Sequence, residues 1–250
     1  MDESESESSR LNPYKRSQQV KQNFYGTLYK NLGYYTSAED VYNSAGFINA
    51  YNSGYLTAGD IKYEDTNGDG QLTGEDMRRM GKSGTPHNQF GLNINLNYKG
   101  FYFSTLFQGS LGFNLYTSGT LAMQTGQAGD MPVAYDYQTD FWTPDNRDSQ
   151  YPRLMSNTGL NDNNNYAGSD FWLIDGSYLR MKDFQFGYDF KYKLLKNVKW
   201  LSRCKVGIAG QNIFTISGAT KYGLDPEPKD TGYYGYPVER TLAFTLNLGF

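Results

Sequence analysis

The segment Phe90-Gly-Leu-Asn-Ile-Asn-Leu-Asn-Tyr98-Lys-Gly-Phe101-Tyr-Phe-Ser-Thr-Leu-Phe-Gln108 decides the fold. Phe90, Leu92, Ile94, Leu96 and Tyr98 alternate with Gly91, Asn93, Asn95 and Asn97. A period of two belongs to a strand with one apolar and one wet face. Lys99-Gly100 leaves room only for a two-residue turn, so 101–108 returns as the second arm of an antiparallel hairpin. Working outward, strand patterning recurs at 178–188, at 203–211 and from about Glu239 to Phe250. In the last of these Leu242, Phe244, Leu246, Leu248 and Phe250 fall on one side, with Thr241, Ala243, Thr245, Asn247 and Gly249 on the other.

The connections between these strands alternate in length. Lys99-Gly100 is tight and 189–202 is moderate, whereas 110–177 and 212–238 are long. Long loops on one rim and shorter turns on the other are what an outer-membrane barrel shows, long loops outside and short turns in the periplasm. The residues therefore read as all-β, an antiparallel transmembrane β-barrel segment with long extracellular loops. With Lys99-Gly100 periplasmic, strand counting brings Phe250 to the periplasmic rim and puts 24–89 outside the cell. A soluble secreted all-β binding module, its apolar faces packed on each other, produces the same alternation and stays open as an alternative.

Composition fits a chain that is polar on average and apolar in stripes. Of its 250 residues 38% are hydrophobic, and 23 Tyr and 15 Phe bring aromatics to 16%; the mean hydropathy is -0.68. No apolar run reaches the roughly 18 residues of a membrane-spanning helix, which says nothing against a barrel. A net charge of -3 without a long basic block gives no footprint for nucleic acid. Cys204 is the single cysteine, so no disulfide framework forms. Residues 1–10 (MDESESESSR) carry no basic n-region, apolar h-region or cleavage site, and 1–23 reads as a disordered or incomplete N-terminal segment.

The region 24–89 holds an acidic loop. Asp65, Asn67, Asp69, Thr73 and Asp76 occupy positions 1, 3, 5, 9 and 12 of the loop 65–76, with Gly70 at position 6 and the backbone carbonyl of Gln71 at position 7. Such spacing wraps hard oxygen donors around one point, which suits structural Ca2+. Asp76 in place of a longer Glu shortens the last reach, which leaves Mg2+ or weaker Ca2+ binding open, beside a metal-free Asn/Asp/Gly turn cluster.

No constellation of catalytic residues stands out, and the chain is expected not to be an enzyme. His87, the only histidine, precedes a strand and reads as a rim residue. Among Asp130, Asp136, Asp140, Asp145, Asp148, Asp162 and Asp170, spacing sets no two carboxylates face to face at the roughly 5 to 9 Å a glycosidase needs. Tyr135, Tyr137, Phe141, Trp142, Tyr151, Tyr166 and Trp172 read as the packed interior of a folded loop, as a membrane-interface girdle, or as stacking surfaces for sugar rings.

These motifs together resemble one family. Gly59-Asp-Ile-Lys-Tyr63 before the acidic loop, the 90–109 hairpin after it, Phe141-Trp-Thr-Pro-Asp-Asn146 with Tyr151-Pro-Arg-Leu154, Asp175-Gly-Ser-Tyr-Leu-Arg-Met-Lys182 with Phe186-Gly-Tyr188, Gly210-Gln-Asn-Ile-Phe214 and Tyr236-Pro-Val-Glu-Arg240 follow in order. The series is similar to the C-terminal part of SusC/RagA-like TonB-dependent outer-membrane transporters. That resemblance implies a large barrel of about 22 strands, filled by a plug, capped by a SusD-like surface lipoprotein and driven by the TonB complex to import glycan or peptide nutrient. It implies the outer membrane of a Gram-negative, Bacteroidetes-like bacterium, with Phe250 as the signal read by the barrel assembly machinery. Five strands cannot close a barrel, and open edges in hydrocarbon are costly. The chain is therefore expected to be a fragment, a truncated product or one piece of a split transporter, with the remainder of the barrel and plug as its partner.

Overall fold

The structure is a computed structural model that describes residues 26–47, 56–117, 139–154, 164–227 and 238–250. The N-terminal segment 1–23, Tyr135, Tyr137, Asp130, Asp136 and Asp162 lie outside the described residues. Five long strands form one sheet: β5 (Asn88–Tyr98), β6 (Phe101–Leu111), β9 (Tyr178–Asp189), β10 (Arg203–Gln211) and β12 (Thr241–Gly249). Their order is β12-β10-β9-β6-β5 and every neighbouring pair is antiparallel. The remaining strands among the described residues are short: β1 (Gly26–Leu28), β2 (Asn31–Tyr34), β3 (Ile61–Tyr63), β4 (Arg78–Met80), β7 (Asn114–Tyr116), β8 (Leu173–Asp175) and β11 (Thr215–Ser217), with one described α-helix, α1 (Ala38–Tyr42).

The 90–108 hairpin is present with its turn where expected, and both arms run further, back to Asn88 within the stretch read as loop and on to Leu111. Tyr98 pairs with Phe101, and Lys99 and Gly100 both take positive φ, 47° and 92°, the backbone a two-residue hairpin turn requires. The register then carries one apolar row across all five strands. Ile94, Thr105 and Phe184 lie in line, as do Leu96, Phe103, Phe186, Ile208 and Phe244. Phe90, Leu92, Leu96, Tyr98, Phe101, Phe186, Val206, Leu242, Phe244, Leu246 and Leu248 all stand exposed on this face, Phe244 at 91%. Neither buried apolar cluster includes any of them. Among the described residues the apolar stripes thus do not pack on each other, which argues against the soluble-module alternative and leaves a face shaped for lipid.

The opposite face is wet. Asn95 Nδ2 donates to Asn93 Oδ1 (3.0 Å), and Ser104 Oγ donates to Asn95 Oδ1 (2.6 Å) across the hairpin. Tyr102 on this face lies flat over two glycines of the next strands. Its hydroxyl stands 2.4 Å from where a Cβ of Gly187 would be and 2.5 Å from one on Gly207, and Lys205 Nζ sits 5.3 Å from the ring centre. An aromatic covering bare glycines is a device that fixes register in curved sheets.

One irregularity divides β9. Asp183 faces Leu106 but Met181 faces Phe107, so Lys182 is an extra residue, a β-bulge. Strict alternation from Tyr188, Phe186 and Phe184 would send Lys182 and Arg180 to the lipid side. The bulge instead returns Met181 and Leu179 to the apolar face and turns Arg180 inward. Opposite it, β10 ends, Asn212 takes positive φ (52°), and the chain resumes pairing with β9 as β11.

The turn at 99–100, the 190–202 connection and the end of β12 share one rim. At the other rim the long segments fold together into a second body. Its buried cluster is Tyr29, Ile61, Tyr63, Leu72, Tyr151 and Trp172, each such side chain contributing about 1.5–3 kcal/mol by leaving water. A smaller cluster of Phe113, Leu115, Ile174, Tyr178, Ala219 and Leu224 joins it to the strand ends.

Candidate functional site

Of the segments singled out in the sequence, 59–63, the acidic loop, 141–146 and 151–154 meet in the body at the long-loop rim, while Tyr236 and Pro237 lie outside the described residues. Gly59 takes φ +91°, and the Trp142 ring occupies the space its Cβ would need, 2.3 Å away. Arg153 N donates to Gly59 O (2.9 Å), while the Arg153 guanidinium clasps the fully buried Asp60, Nε to Oδ1 at 2.8 Å. Asn165 Nδ2 donates to the same carboxylate (2.9 Å), and Ile61 N donates back to Asn165 Oδ1 (2.9 Å). A buried carboxylate with a guanidinium and an amide on it is satisfied, so this centre holds 57–61, 142, 153 and 165 together rather than waiting for a ligand.

The loop aromatics divide the same way. Tyr151, Tyr166 and Trp172 pack in this interior, Tyr166 stacked on Trp172 at 5.9 Å, with Phe141 against them. Burial pushes the Tyr151 hydroxyl up to about 12, and drives Tyr63, whose hydroxyl donates to Asn164 O (2.7 Å), far higher. Asp170 accepts from Asn31 N and pairs with Lys30 (2.9 Å), clamping the start of the described chain onto 168–172. His87 donates its N–H to Leu111 O at the hairpin's open end, a rim position. Asp145 and Asp148 are exposed, while Asp140 accepts from Asn146 Nδ2 and Gln150 N. Asp140 and Asp148 line a cavity of about 350 Å³ with Gln150, Tyr151, Trp172 and Tyr222.

In the acidic loop the donors named from spacing are ordered by the loop's own backbone. Asp65 Oδ1 and Oδ2 accept from Gly68 N (2.7 Å) and Gly70 N (2.8 Å). Asp69 Oδ1 accepts from Gln71 N (2.8 Å), and Asn67 Oδ1 accepts from Asp69 N (3.0 Å). Asp76 is fully buried; its Oδ1 accepts from Thr66 N (2.9 Å) and its Oδ2 from Thr73 N (2.7 Å) and the Thr73 hydroxyl. Gly70 makes the sharp turn at φ +82°. Burial alone would raise Asp65, but the N–H groups of Gly70, Gly68, Asp69 and Asn67 together hold its carboxyl below the usual carboxylate range. Among the described residues no three Asp, Glu, His or Cys side chains gather as a metal-holding group. The donor chemistry suits a hard cation, while each carboxylate already has backbone partners.

Sequence reasoning missed one cluster on the wet side of β9. Arg180, 2% exposed, pairs with Asp225 (2.6 Å) and with Glu227, and donates Nε to Thr215 Oγ1 (2.8 Å). Lys182 Nζ reaches Glu227 from the bulge (2.6 Å). The partners lie more than 30 residues downstream, so the only signal available was a cation on an otherwise apolar phase of a strand.

Over 243 residues the chain is 27% identical to TonB-dependent receptor P3 of Formosa agariphila, covering 91% of this chain and 22% of the relative. TonB-dependent receptor P26 of the same organism is 29% identical over 208 residues, covering 77% of this chain and 20% of the relative. The chain resembles TonB-dependent receptors. This receptor-like chain thus spans about a fifth of the length of the curated relatives it matches. No protein-family model matches it. Among solved structures it superposes on a RagAB peptide transporter with a TM-score of 0.60 at 17% identity, over 93% of this chain and 24% of that one. The RagAB peptide importer in a closed-closed state gives the same TM-score, over 94% and 25%. The fold is that of a partial antiparallel transmembrane β-barrel.

Proposed function

We propose that this chain supplies part of the wall and outer cap of a TonB-dependent nutrient importer and is not itself an enzyme. It lies in the outer membrane of a Gram-negative, Bacteroidetes-like cell. The observation that carries the reading is the continuous exposed apolar row across five antiparallel strands, backed by a wet inner face and fused to a folded cap on one rim. The likeness to TonB-dependent receptors and to a solved peptide transporter supports the transport role. Glycan or peptide is the proposed cargo, captured with a SusD-like surface lipoprotein, and the cavity beside Asp148 and Tyr222 is a surface it would meet. The remaining strands and plug, the TonB complex and the barrel assembly machinery, reading Phe250, complete the proposed assembly. A structural Ca2+ or Mg2+ on Asp65, Asn67, Asp69, Gln71, Thr73 and Asp76 belongs to the same proposal. The test is cell fractionation with uptake of labelled oligosaccharide and peptide in cells with and without the gene. The reading requires recovery in the outer membrane only with detergent and loss of uptake of one cargo class; recovery as a soluble monomer refutes it.

A further inference from the structure

The rim shared by the 99–100 turn, the 190–202 connection and the end of β12 differs in charge from the chain around it. Lys191, Lys193, Lys196, Lys199, Arg203 and Lys205 fall within seventeen residues against the one acid Asp189, in a chain of net charge -3. Lys191 Nζ donates to Val198 O (2.6 Å) and Leu195 N to Phe190 O (2.8 Å), so the connection is folded on itself. Lys193, Lys196, Lys199 and Arg203 are exposed and enter none of the ion pairs among the described residues.

Large apolar groups stand between these cations. Tyr192, Leu194 and Trp200 are each more than half exposed, and Trp200 stacks on Phe250 at 5.8 Å and 9°. Tyr192 packs against Gly100 of the neighbouring turn, where Lys99 lies 5.0 Å from the centre of the Tyr98 ring. Tyr188 meets Tyr192 over Gly100 and packs on Phe101 at 4.8 Å, which leads the patch into the lipid-facing row. Amphipathic rings mixed with long cationic side chains at the end of an apolar face match the depth at which acyl chains give way to phosphates. Lys193, Lys196 and Lys199 there favour anionic headgroups over zwitterionic ones, while Arg203, in register with Gly249, belongs to the wet face.

We propose that the 190–202 connection is an interfacial anchor for anionic phospholipid. Trp200 and Tyr192 sit at headgroup depth, and Lys193, Lys196 and Lys199 pair with lipid phosphates. The inference rests on the barrel reading. The full chain, reconstituted in bilayers carrying equal mole fractions of brominated lipid, tests it through the fluorescence lost on Trp200→Phe. That Trp200 signal should be quenched more by brominated phosphatidylglycerol than by brominated phosphatidylcholine. Replacing Lys193, Lys196 and Lys199 together by Gln should cut the excess at least about fivefold, the scale of one cation at an anionic surface, while Arg at the same positions should keep it. Equal quenching by the two lipids, or an excess that survives the Gln variant, overturns the anchor and leaves a periplasmic protein as the occupant. A reporter at the sheet's most exposed apolar position, Phe244→Trp in the Trp200→Phe background, scores the barrel reading separately. No quenching there by either lipid refutes membrane insertion, whereas quenching there without headgroup preference at Trp200 refutes the anchor alone.

Discussion

Substituting Gly187 by Ala should damage the sheet more than any exposed Gly→Ala change. The added Cβ would lie 2.4 Å from the Tyr102 hydroxyl and 2.4 Å from the Val206 carbonyl oxygen. The first contact involves the far end of a side chain that can swing away. The second involves the backbone of the adjacent strand, which moves only if the β9–β10 ladder opens. Overpacking of this kind costs about 1–3 kcal/mol, and a clash with fixed backbone belongs at the upper end. A loss of about 2 kcal/mol lowers the folded-to-unfolded ratio roughly 30-fold. Urea titration in detergent, read by the loss of β-sheet circular dichroism, measures it. Tyr102→Ala should itself cost about 1 kcal/mol, since it removes an aromatic cover. The double variant should then be less damaged than the sum, by about 1 kcal/mol, because the ring contact is counted twice. Simple additivity within about 0.3 kcal/mol, or an unchanged midpoint for Gly187→Ala, would refute the packing of Tyr102 over these glycines.

Three further outcomes follow from the cap. Arg180→Met leaves Asp225 without its cation and Glu227 with Lys182 alone, and should loosen 215–227 by about 3 kcal/mol, seen as faster proteolysis there with the long strands intact. Asp65, Asp40 and Asp175 all have carboxyls held below their ordinary values. Their stabilisation is complete above an unfolded-state value near 4 and is lost as pH falls through the depressed folded values, so amide exchange in the acidic loop and around α1 should accelerate only below that point. Millimolar Ca2+ should slow exchange at Gly68, Gly70 and Gln71 relative to EDTA, consistent with the weak affinity of extracellular sites; identical exchange in the two conditions would refute the cation and leave a loop ordered by backbone hydrogen bonds.

The long strands were legible because period-two alternation with eight or more residues is a strong local signal. The 203–211 strand is recovered with its bounds unchanged, and the hairpin turn falls on the two residues its chemistry named. The short strands were not legible, since three residues show no period and β1 finds its partner β4 some fifty positions away. The bulge was hidden for a different reason. Reading 178–188 as one uninterrupted alternation is reasonable until the register against β6 shows an extra residue. Of the candidate site, Asp60 and Arg153 were quoted within motifs, but only the folded chain brings them to 2.8 Å. The acidic loop was legible as a loop, while the partners that occupy its carboxylates depend on a backbone path that spacing alone does not specify.

The extra residue in β9 also sets what lengths of this strand evolution or an engineer can use. Removing Lys182 would close the bulge and leave Phe184 and Met181 on the outer side with Arg180 still inside. Removing Gln185 would push every residue before it across the sheet and carry a guanidinium toward the hydrocarbon. Length variation in this strand is thus confined to a slot one residue wide, and natural gaps should collect at that slot.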